Sequence, residues 1–280
     1  MQTKRNYSSP GGKSQRGFSA IEMLITVVLL TVVLGVVVKG MTDMQRRSFS
    51  ETSKMDTVQD TRDFIDQMVR DVHDVGYPPA RAVGVVGGAP NATPYCTDPL
   101  ATGVVTAAVR NNISIACGIV RYSPTSLVYE ADLDGTGTVS VVFLSLVANG
   151  GNCPCILQRG VVSKQQWVLN NAIVPQYFTT VNGVMNSGNG AGAATFPLVV
   201  PGTGNYAAYA TADVFDAYDA NAVPITVACT LGTVGVPGTN PDCSQIRSLQ
   251  ITVNSAPAYA DPTTKQFPVY SLTSKARINF

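Results

Sequence analysis

The first side chain of this sequence that could have a chemical role is a carboxylate inside an apolar segment. Between Phe18 and Val38, Glu22 is the only ionisable side chain. An intramembrane carboxylate is costly and normally has a positive partner, yet no cation lies nearby in the apolar region. Cleavage between Gly17 and Phe18 would create an α-amino group four residues before Glu22. That amine, in the same chain or a neighbour, would pair with the carboxylate and fix the axial register of packed helices.

The segment around Glu22 has the length of a membrane span. Its 21 residues, 18–38, would form a helix about 31 Å long, against ~30 Å for the hydrocarbon core of a bilayer. No cleavage site of the A-x-A kind follows, so the segment is expected to be retained rather than removed as a secretory signal. Four basic residues and no acidic residue precede it, which predicts a cytoplasmic N-terminus. They are Lys4, Arg5, Lys13 and Arg16.

Residues 16–30, RGFSAIEMLITVVLL, resemble the processing and assembly motif of type IV prepilins. The motif consists of a basic leader that ends in Gly, then Phe, with Glu as the fifth residue of the mature chain. The resemblance implies that a membrane prepilin peptidase cuts after Gly17 and methylates the new amino terminus of Phe18. It also implies that Glu22 recruits and aligns subunits in a filament. A plain signal anchor with an incidental glutamate is the alternative, but it does not explain the spacing.

A second helical segment follows the apolar one. Residues 41–75 contain neither Pro nor Gly, and their apolar residues recur at heptad spacing, which predicts one apolar stripe on a charged helix. We expect the stripe to pack on the β-rich part of the chain and the helix, starting at Phe18, to end near Gly76. The stripe consists of Val58, Ile65, Met68, Val72 and Val75.

The rest of the chain alternates apolar and polar residues between Gly and Asn turns, which predicts an antiparallel sheet. Residues 127–146 are predicted to form two strands joined by a tight turn at 134–137. Residues 246–255 and 269–280 are predicted to form the last hairpin. Residues 180–212, rich in Gly, Asn and Ala, are predicted to be a long loop. The fold class is therefore α+β, a long N-terminal helix packed on an antiparallel sheet.

Two aspartates in the first hairpin, Asp132 and Asp134, are weak calcium candidates. Carboxylate oxygens suit calcium, but the spacing of an EF-hand is missing, with no third ligand and no terminal Glu. A hairpin turn is the preferred interpretation. A second loose acidic cluster, formed by Asp213, Asp216 and Asp219, is interpreted as a solvated loop. No metal and no cofactor are expected.

All six cysteines lie beyond the apolar segment. An even number in an exported domain indicates disulfides, although six cysteines allow 15 pairings. Zinc is a poorly supported alternative because the C-x-C pair has no second pair or histidines, and buried free thiols also remain open. Proximity in the sequence favours three pairs, of which the middle one closes a tight ring. These pairs are Cys96 with Cys117, Cys153 with Cys155 and Cys229 with Cys243.

The sequence does not indicate an enzyme or a nucleic-acid-binding protein. The formal net charge is +1, whereas nucleic-acid binders usually have a basic patch or stripe. The only histidine, His73, lies among charged residues near the predicted helix end and is interpreted as solvated. No catalytic residue is therefore expected.

The order of elements is similar to that of PilW-type minor pilins. The shared features are a long helix ending in Asp-Val-Gly-Tyr, the ADLDGTG hairpin, Leu157-Gln158-Arg159, a late IRSLQITV strand and a closing SLTSK strand. The resemblance implies a type IV pilin fold in four parts. These are a cleaved leader (1–17), a transmembrane assembly helix (18–39), an amphipathic extension (40–76) and a β-rich periplasmic or extracellular domain (77–280).

This resemblance also implies a function and a set of partners. The chain would be anchored in the bacterial inner membrane and then enter a pilus, at or near its tip, to prime assembly and contribute to adhesion or motility. Its partners would be other pilins, the prepilin peptidase and the assembly platform. Two alternatives stay open: a J-like pseudopilin of type II secretion, and a membrane-anchored periplasmic binding domain or adhesin that does not polymerise.

Overall fold

The computed structural model describes residues 17, 19–77, 115–150, 152–169, 173, 175–187, 209, 211–230 and 243–278. The predictions for the leader, for Phe18, for Cys96 and for most of 180–212 therefore lie outside the described residues. The chain divides between Ser48 and Phe49 into two compact units. The first contains residues 20–48 of a long helix, and the second contains residues 49–74 of that helix and the sheet.

The long helix α1 runs from Ala20 to Asp74, over 55 residues. Its first turn is closed by the carbonyl of Ser19, which accepts hydrogen bonds from the backbone N–H groups of Glu22 and Met23. The helix ends at Asp74, close to the predicted end near Gly76, because Val75 leaves it to form a β-bridge with Ala131. Gly76 then adopts a φ of 80°, a left-handed conformation that glycine enters at little cost.

In the second unit, the apolar stripe of α1 packs against the sheet as predicted. Met68, Val72 and Val75 are completely buried and Ile65 is 7% exposed, whereas Val58 is only half-buried. Phe64, which the stripe did not include, is also buried. Complete burial of one Val, Ile, Met or Phe side chain stabilises the fold by about 1.5–3 kcal/mol. The stripe is therefore a major part of the core on this face of the sheet.

The described residues form one antiparallel sheet of ten strands. Its order is β7-β6-β9-β5-β4-β3-β2-β1-β8, and β10 pairs with β9 beside this path. The α+β class is thus confirmed. The strands are β1 Ile119–Ser123, β2 Ser126–Ala131, β3 Ser140–Asn149, β4 Asn152–Ser163, β5 Tyr177–Val184, β6 Phe215–Tyr218, β7 Pro224–Ile225, β8 Cys229–Thr230, β9 Ser248–Ser255 and β10 Tyr270–Arg277.

The two predicted hairpins have different outcomes. β9 and β10 pair antiparallel over their whole length, which confirms the last hairpin. β2 and β3 also pair, but residues 132–139 connect them, so the predicted tight turn at 134–137 is wrong. The longer loop arises because Asp132 and Asp134 accept hydrogen bonds from loop N–H groups. Such local bonds compete with the hydrogen bonds of a strand ladder.

The sheet is curled, so that strands far apart in its order contact each other. The hydroxyl of Tyr122 in β1 donates to the carbonyl of Phe215 in β6 at 3.1 Å, and the N–H of Ala217 donates back to that hydroxyl at 3.3 Å. Burial raises the pKa of Tyr122 to about 12. The phenol therefore stays protonated and holds this contact at any physiological pH.

The other face of the sheet is partly covered by a short helix, α2 (Lys164–Leu169). Its Trp167 is 1% exposed and meets the ring of Phe143 edge to face, with 5.5 Å between the ring centroids. This arrangement suits the quadrupoles of the two rings. Trp167 packs in a small cluster with Val120, Val128, Val141 and Val162.

Candidate functional site

The first candidate site is the N-terminal end of α1. Glu22 is exposed in the first turn of the helix, and Gly17 is also exposed. Within the described part of the chain, no residue donates a hydrogen bond or forms an ion pair to the Glu22 carboxylate. A carboxylate interacts favourably with the N-terminal end of a helix, by about 0.3–1 kcal/mol. Glu22 thus has a local role that the sequence interpretation did not consider.

The residues that follow Glu22 present an apolar surface on all sides of the helix. Its large apolar side chains from Ile21 to Val38 are each at least 50% exposed. The hydroxyls of Thr26 and Thr31 donate to carbonyls of their own helix, which reduces the cost of placing them in lipid. α1 is long and apolar enough to cross a membrane, and this apolar part is not buried within the chain. The chain is therefore compatible with a single-pass membrane anchor near its N-terminus.

A buried polar cluster joins the C-terminal half of α1 to the sheet. Oδ2 of Asp71 accepts a hydrogen bond from the hydroxyl of Tyr129 at 2.7 Å and an ion-paired one from Arg159 at 2.8 Å. Burial, then the charge of Asp71, raises the pKa of Tyr129 well above its usual value. The phenol is thus a permanent donor. The three side chains bond one helix to two strands, β2 and β4.

A second polar contact joins α1 to the loop between β9 and β10. Lys54 donates to Oδ2 of Asp261 at 3.0 Å. Oδ1 of the same carboxylate accepts from the N–H groups of Thr263 and Thr264. Nearer the strand end, the hydroxyls of Thr61 and Ser255 are 2.9 Å apart and buried.

We expect Asp261 to make stability depend on pH in acid. The N–H of Thr264, then Lys54 and the N–H of Thr263, lower the pKa of Asp261 from 3.8 to about 2. A lowered pKa in the folded state stabilises the fold above the unfolded value, and that stabilisation is lost as the pH falls from about 4 towards 2. Asp261→Asn should therefore flatten the dependence of the free energy of unfolding on pH in this window. Denaturant titrations at a series of pH values measure it.

Glu51→Gln is the matched control, because Glu51 is the other carboxylate that contacts Lys54. It does not contact the β9–β10 loop. An equal flattening in Glu51→Gln, or none in Asp261→Asn, would contradict the assignment.

A buried ion pair lies on the other side of the sheet. Lys164 donates to Glu130 and to the carbonyl of Ile115, both at 2.6 Å, and Glu130 also accepts from the N–H of Cys117 at 2.9 Å. Both charged side chains are at most 5% exposed. The pair fixes the start of α2 and the segment that precedes β1.

The structure places the cysteines in two described disulfides, Cys153–Cys155 and Cys229–Cys243, with Cα atoms 4.1 and 5.2 Å apart. Cys117 is also disulfide-bonded, and its expected partner lies outside the described residues. No group of three or more His, Cys, Asp or Glu side chains that could hold a metal ion occurs in the described ranges.

The remaining acidic residues are placed as follows. Asp132 is buried and Asp134 is exposed, both in the loop after β2. Asp216 is not in a solvated loop as interpreted, because it is half-buried within β6. Burial, then the nearby Asp213, raises the pKa of Asp216. His73 is exposed in the last turn of α1.

The polar clusters were not predicted, although the sequence contains one signal for them. The 4-3-4 spacing of a buried helix stripe is followed by Phe64, Met68, Asp71 and Val75. A carboxylate at such a position predicts a buried charge with a partner. The sequence does not indicate that the partner is Arg159.

These elements define an α+β protein, in which the described residues contain one helix that could span a membrane. Comparison of the chain with protein-family models, with curated proteins and with solved structures found no match.

Proposed function

We propose that this chain is a type IV pilin-like subunit, of the PilW-type minor pilin kind. The observation that carries the proposal is an apolar helical segment with exposed side chains on all sides, which begins with a carboxylate lacking any described partner. The Gly17-Phe18 junction stands at the spacing from Glu22 that prepilin processing uses. A helix with such an exposed apolar surface requires lipid or other apolar helices around it, because contact with water is unfavourable.

In this proposal, cleavage after Gly17 makes Phe18 the mature N-terminus. The new α-amino group pairs with Glu22 of a neighbouring subunit in the apolar interior of a filament. Low dielectric strengthens such a pair, and its geometry sets the axial register. Before assembly, the same helix anchors the chain in the inner membrane with its N-terminus in the cytoplasm, and the β-rich domain lies in the periplasm.

The second unit supports the proposal through its architecture. A helix that continues out of an apolar segment and packs by one stripe on an antiparallel sheet is the arrangement expected of a pilin. The clusters at Asp71 and Lys54 attach that helix to the sheet by buried or half-buried bonds. The domain would therefore be carried rigidly by the C-terminal half of α1, and its work would be mechanical.

The test is the N-terminus of the protein recovered from the cell envelope. We expect sequencing and mass spectrometry to find N-methylated Phe18 as the first residue, with residues 1–17 removed. Gly17→Trp should leave the full-length precursor, because a bulky side chain at the cut site blocks the peptidase. Gly12→Trp, an equal change elsewhere in the leader, should be processed normally. Recovery of the unmodified precursor from wild-type cells would overturn the proposal.

Cleavage after Gly17 does not distinguish a type IV minor pilin from a pseudopilin of type II secretion, because both carry the same processing signal. Deleting the gene separates them, because loss of surface pili supports a minor pilin and loss of protein secretion supports a pseudopilin. A chain that is never found in either assembly would be a membrane-anchored domain that does not polymerise.

A further inference from the structure

The loop between β2 and β3, residues 132–139, contains two carboxylates of different exposure. Asp132 is 6% exposed, whereas Asp134 is exposed to solvent. Oδ2 of Asp132 accepts a hydrogen bond from the N–H of Gly137 at 2.8 Å. Asp134 accepts from the N–H of Thr136, the residue next to Gly137. A buried and a solvent-facing carboxylate therefore meet in one loop.

The buried carboxylate is only half satisfied. Oδ1 of Asp132 is buried and has no hydrogen-bond partner among the described residues. No Lys or Arg side chain of the described part of the chain forms an ion pair with Asp132 or Asp134. A buried carboxylate oxygen without a donor or a cation is unfavourable. An ion that binds to it would remove this cost.

The second carboxylate is held in place by the loop itself. The hydroxyl and the N–H of Thr136 both donate to Oδ1 of Asp134, at 2.7 and 3.1 Å. These two bonds fix the orientation of the Asp134 carboxylate in the same loop as the buried Asp132 oxygen that lacks a partner.

Oxygen donors of this kind select a hard divalent cation. Calcium accepts six to eight oxygen ligands from carboxylates, backbone carbonyls and waters in flexible geometry, whereas magnesium requires a stricter octahedron and retains its waters. A loop with two carboxylates and exposed backbone suits calcium better.

We propose that the 132–139 loop is a calcium-binding site, in which Asp132 and Asp134 are the protein carboxylate ligands. Loop carbonyls and waters complete the coordination. The site adjoins the end of α1, since the N–H of Asp132 donates to the carbonyl of Tyr77 and that of Gly76 donates to the carbonyl of Glu130. Calcium therefore stabilises the connection between the helix end and the sheet. This inference does not depend on the proposed assembly function.

The test uses the full-length protein in a non-ionic detergent, freed of metal with EDTA and dialysed at pH 7. Calorimetric titration with CaCl2 should give a Kd of about 10⁻⁴–10⁻³ M, the range of extracellular calcium modules. At 10 mM CaCl2 the Tm of the second unit should rise by about 3–10 °C. The same concentration of MgCl2 should have a clearly smaller effect.

Asp134→Asn is the diagnostic variant, because Asn retains an acceptor for Thr136 and removes one negative ligand. Its Kd for calcium should be at least about tenfold higher, as expected from the dependence of affinity on ligand charge. Asp219→Asn is the matched control, since Oδ1 of Asp219 likewise accepts from the N–H two residues ahead, and its Kd should equal that of the wild type.

Three results would overturn the assignment. They are no calcium binding by the wild type up to 10 mM, an unchanged Kd in Asp134→Asn, or an equal stabilisation by MgCl2. The wild-type titrations with CaCl2 and MgCl2 alone decide the first and the third result, so the proposal stays testable even if a variant does not fold.

Discussion

Asp71→Ala is expected to lower the free energy of unfolding of the second unit by about 3 kcal/mol or more. Arg159 is 16% exposed and would lose its only described carboxylate, which leaves a nearly buried guanidinium unpaired. Tyr129, which is completely buried, would lose its hydrogen-bond acceptor at the same time. Losing one partner of a buried polar network costs more than the network contributes as a whole. The helix and both strands would be affected together.

The measurement is denaturant unfolding followed by the fluorescence of Trp167, the single tryptophan of the chain. Asp74→Ala is the matched control, because Asp74 is exposed on the same helix three residues further on. It should change the stability by less than about 0.5 kcal/mol. Asp71→Asn should fall between the two, since the amide oxygen still accepts a hydrogen bond from Tyr129. Equal effects of Asp71→Ala and Asp74→Ala would show that the cluster contributes nothing.

The parts of the fold that depend on local pattern could be predicted from the sequence. The stripe from Ile65 to Val75 has a heptad spacing that only a half-buried helix explains, and the structure buries it. The pairing of β9 with β10 could also be predicted, because two alternating segments close in sequence form a hairpin more readily than distant ones. The disulfide pairs expected from proximity include two that the structure contains.

The parts that depend on distant contacts could not be predicted. Asp71 and Arg159 are 88 positions apart, and neither the helix stripe nor the alternation of β4 indicates the partner. The same holds for Glu130 and Lys164, 34 positions apart. The strand order is also non-local, since β5 and β6 lie on either side of β9. Periodicity specifies which face of an element is buried, but not what it packs against.

The candidate assembly site, in contrast, depends only on residues that are close in sequence. Everything that indicates it lies within a few residues, from Gly17 to the start of the apolar run, so the sequence alone was sufficient to propose it. The structure adds that Glu22 has no partner among the described residues and that the surface behind it is exposed. It also adds a competing local role, the favourable interaction of a carboxylate with a helix N-terminus. A decisive variant must distinguish the two roles.

Glu22→Ala distinguishes them, because the two roles differ greatly in size. The local role contributes at most about 1 kcal/mol to a helix of 55 residues, so the variant should insert in the membrane and be cut after Gly17 as before. Under the proposed function, the amine of Phe18 would lose its partner in a low-dielectric filament. Because an unpaired buried charge costs several kcal/mol, incorporation should fall by at least about tenfold.

The ratio of the chain in sheared filaments to the chain in the membrane, measured by immunoblot, reports incorporation. Glu22→Asp should recover part of it, because Asp keeps the charge on a shorter side chain. Thr31→Ala is the matched control, since its hydroxyl bonds only within its own helix, and it should incorporate normally. If Glu22→Ala enters filaments at the wild-type level after normal cleavage, Glu22 serves only the helix end, and subunit register must be set by the apolar side chains alone.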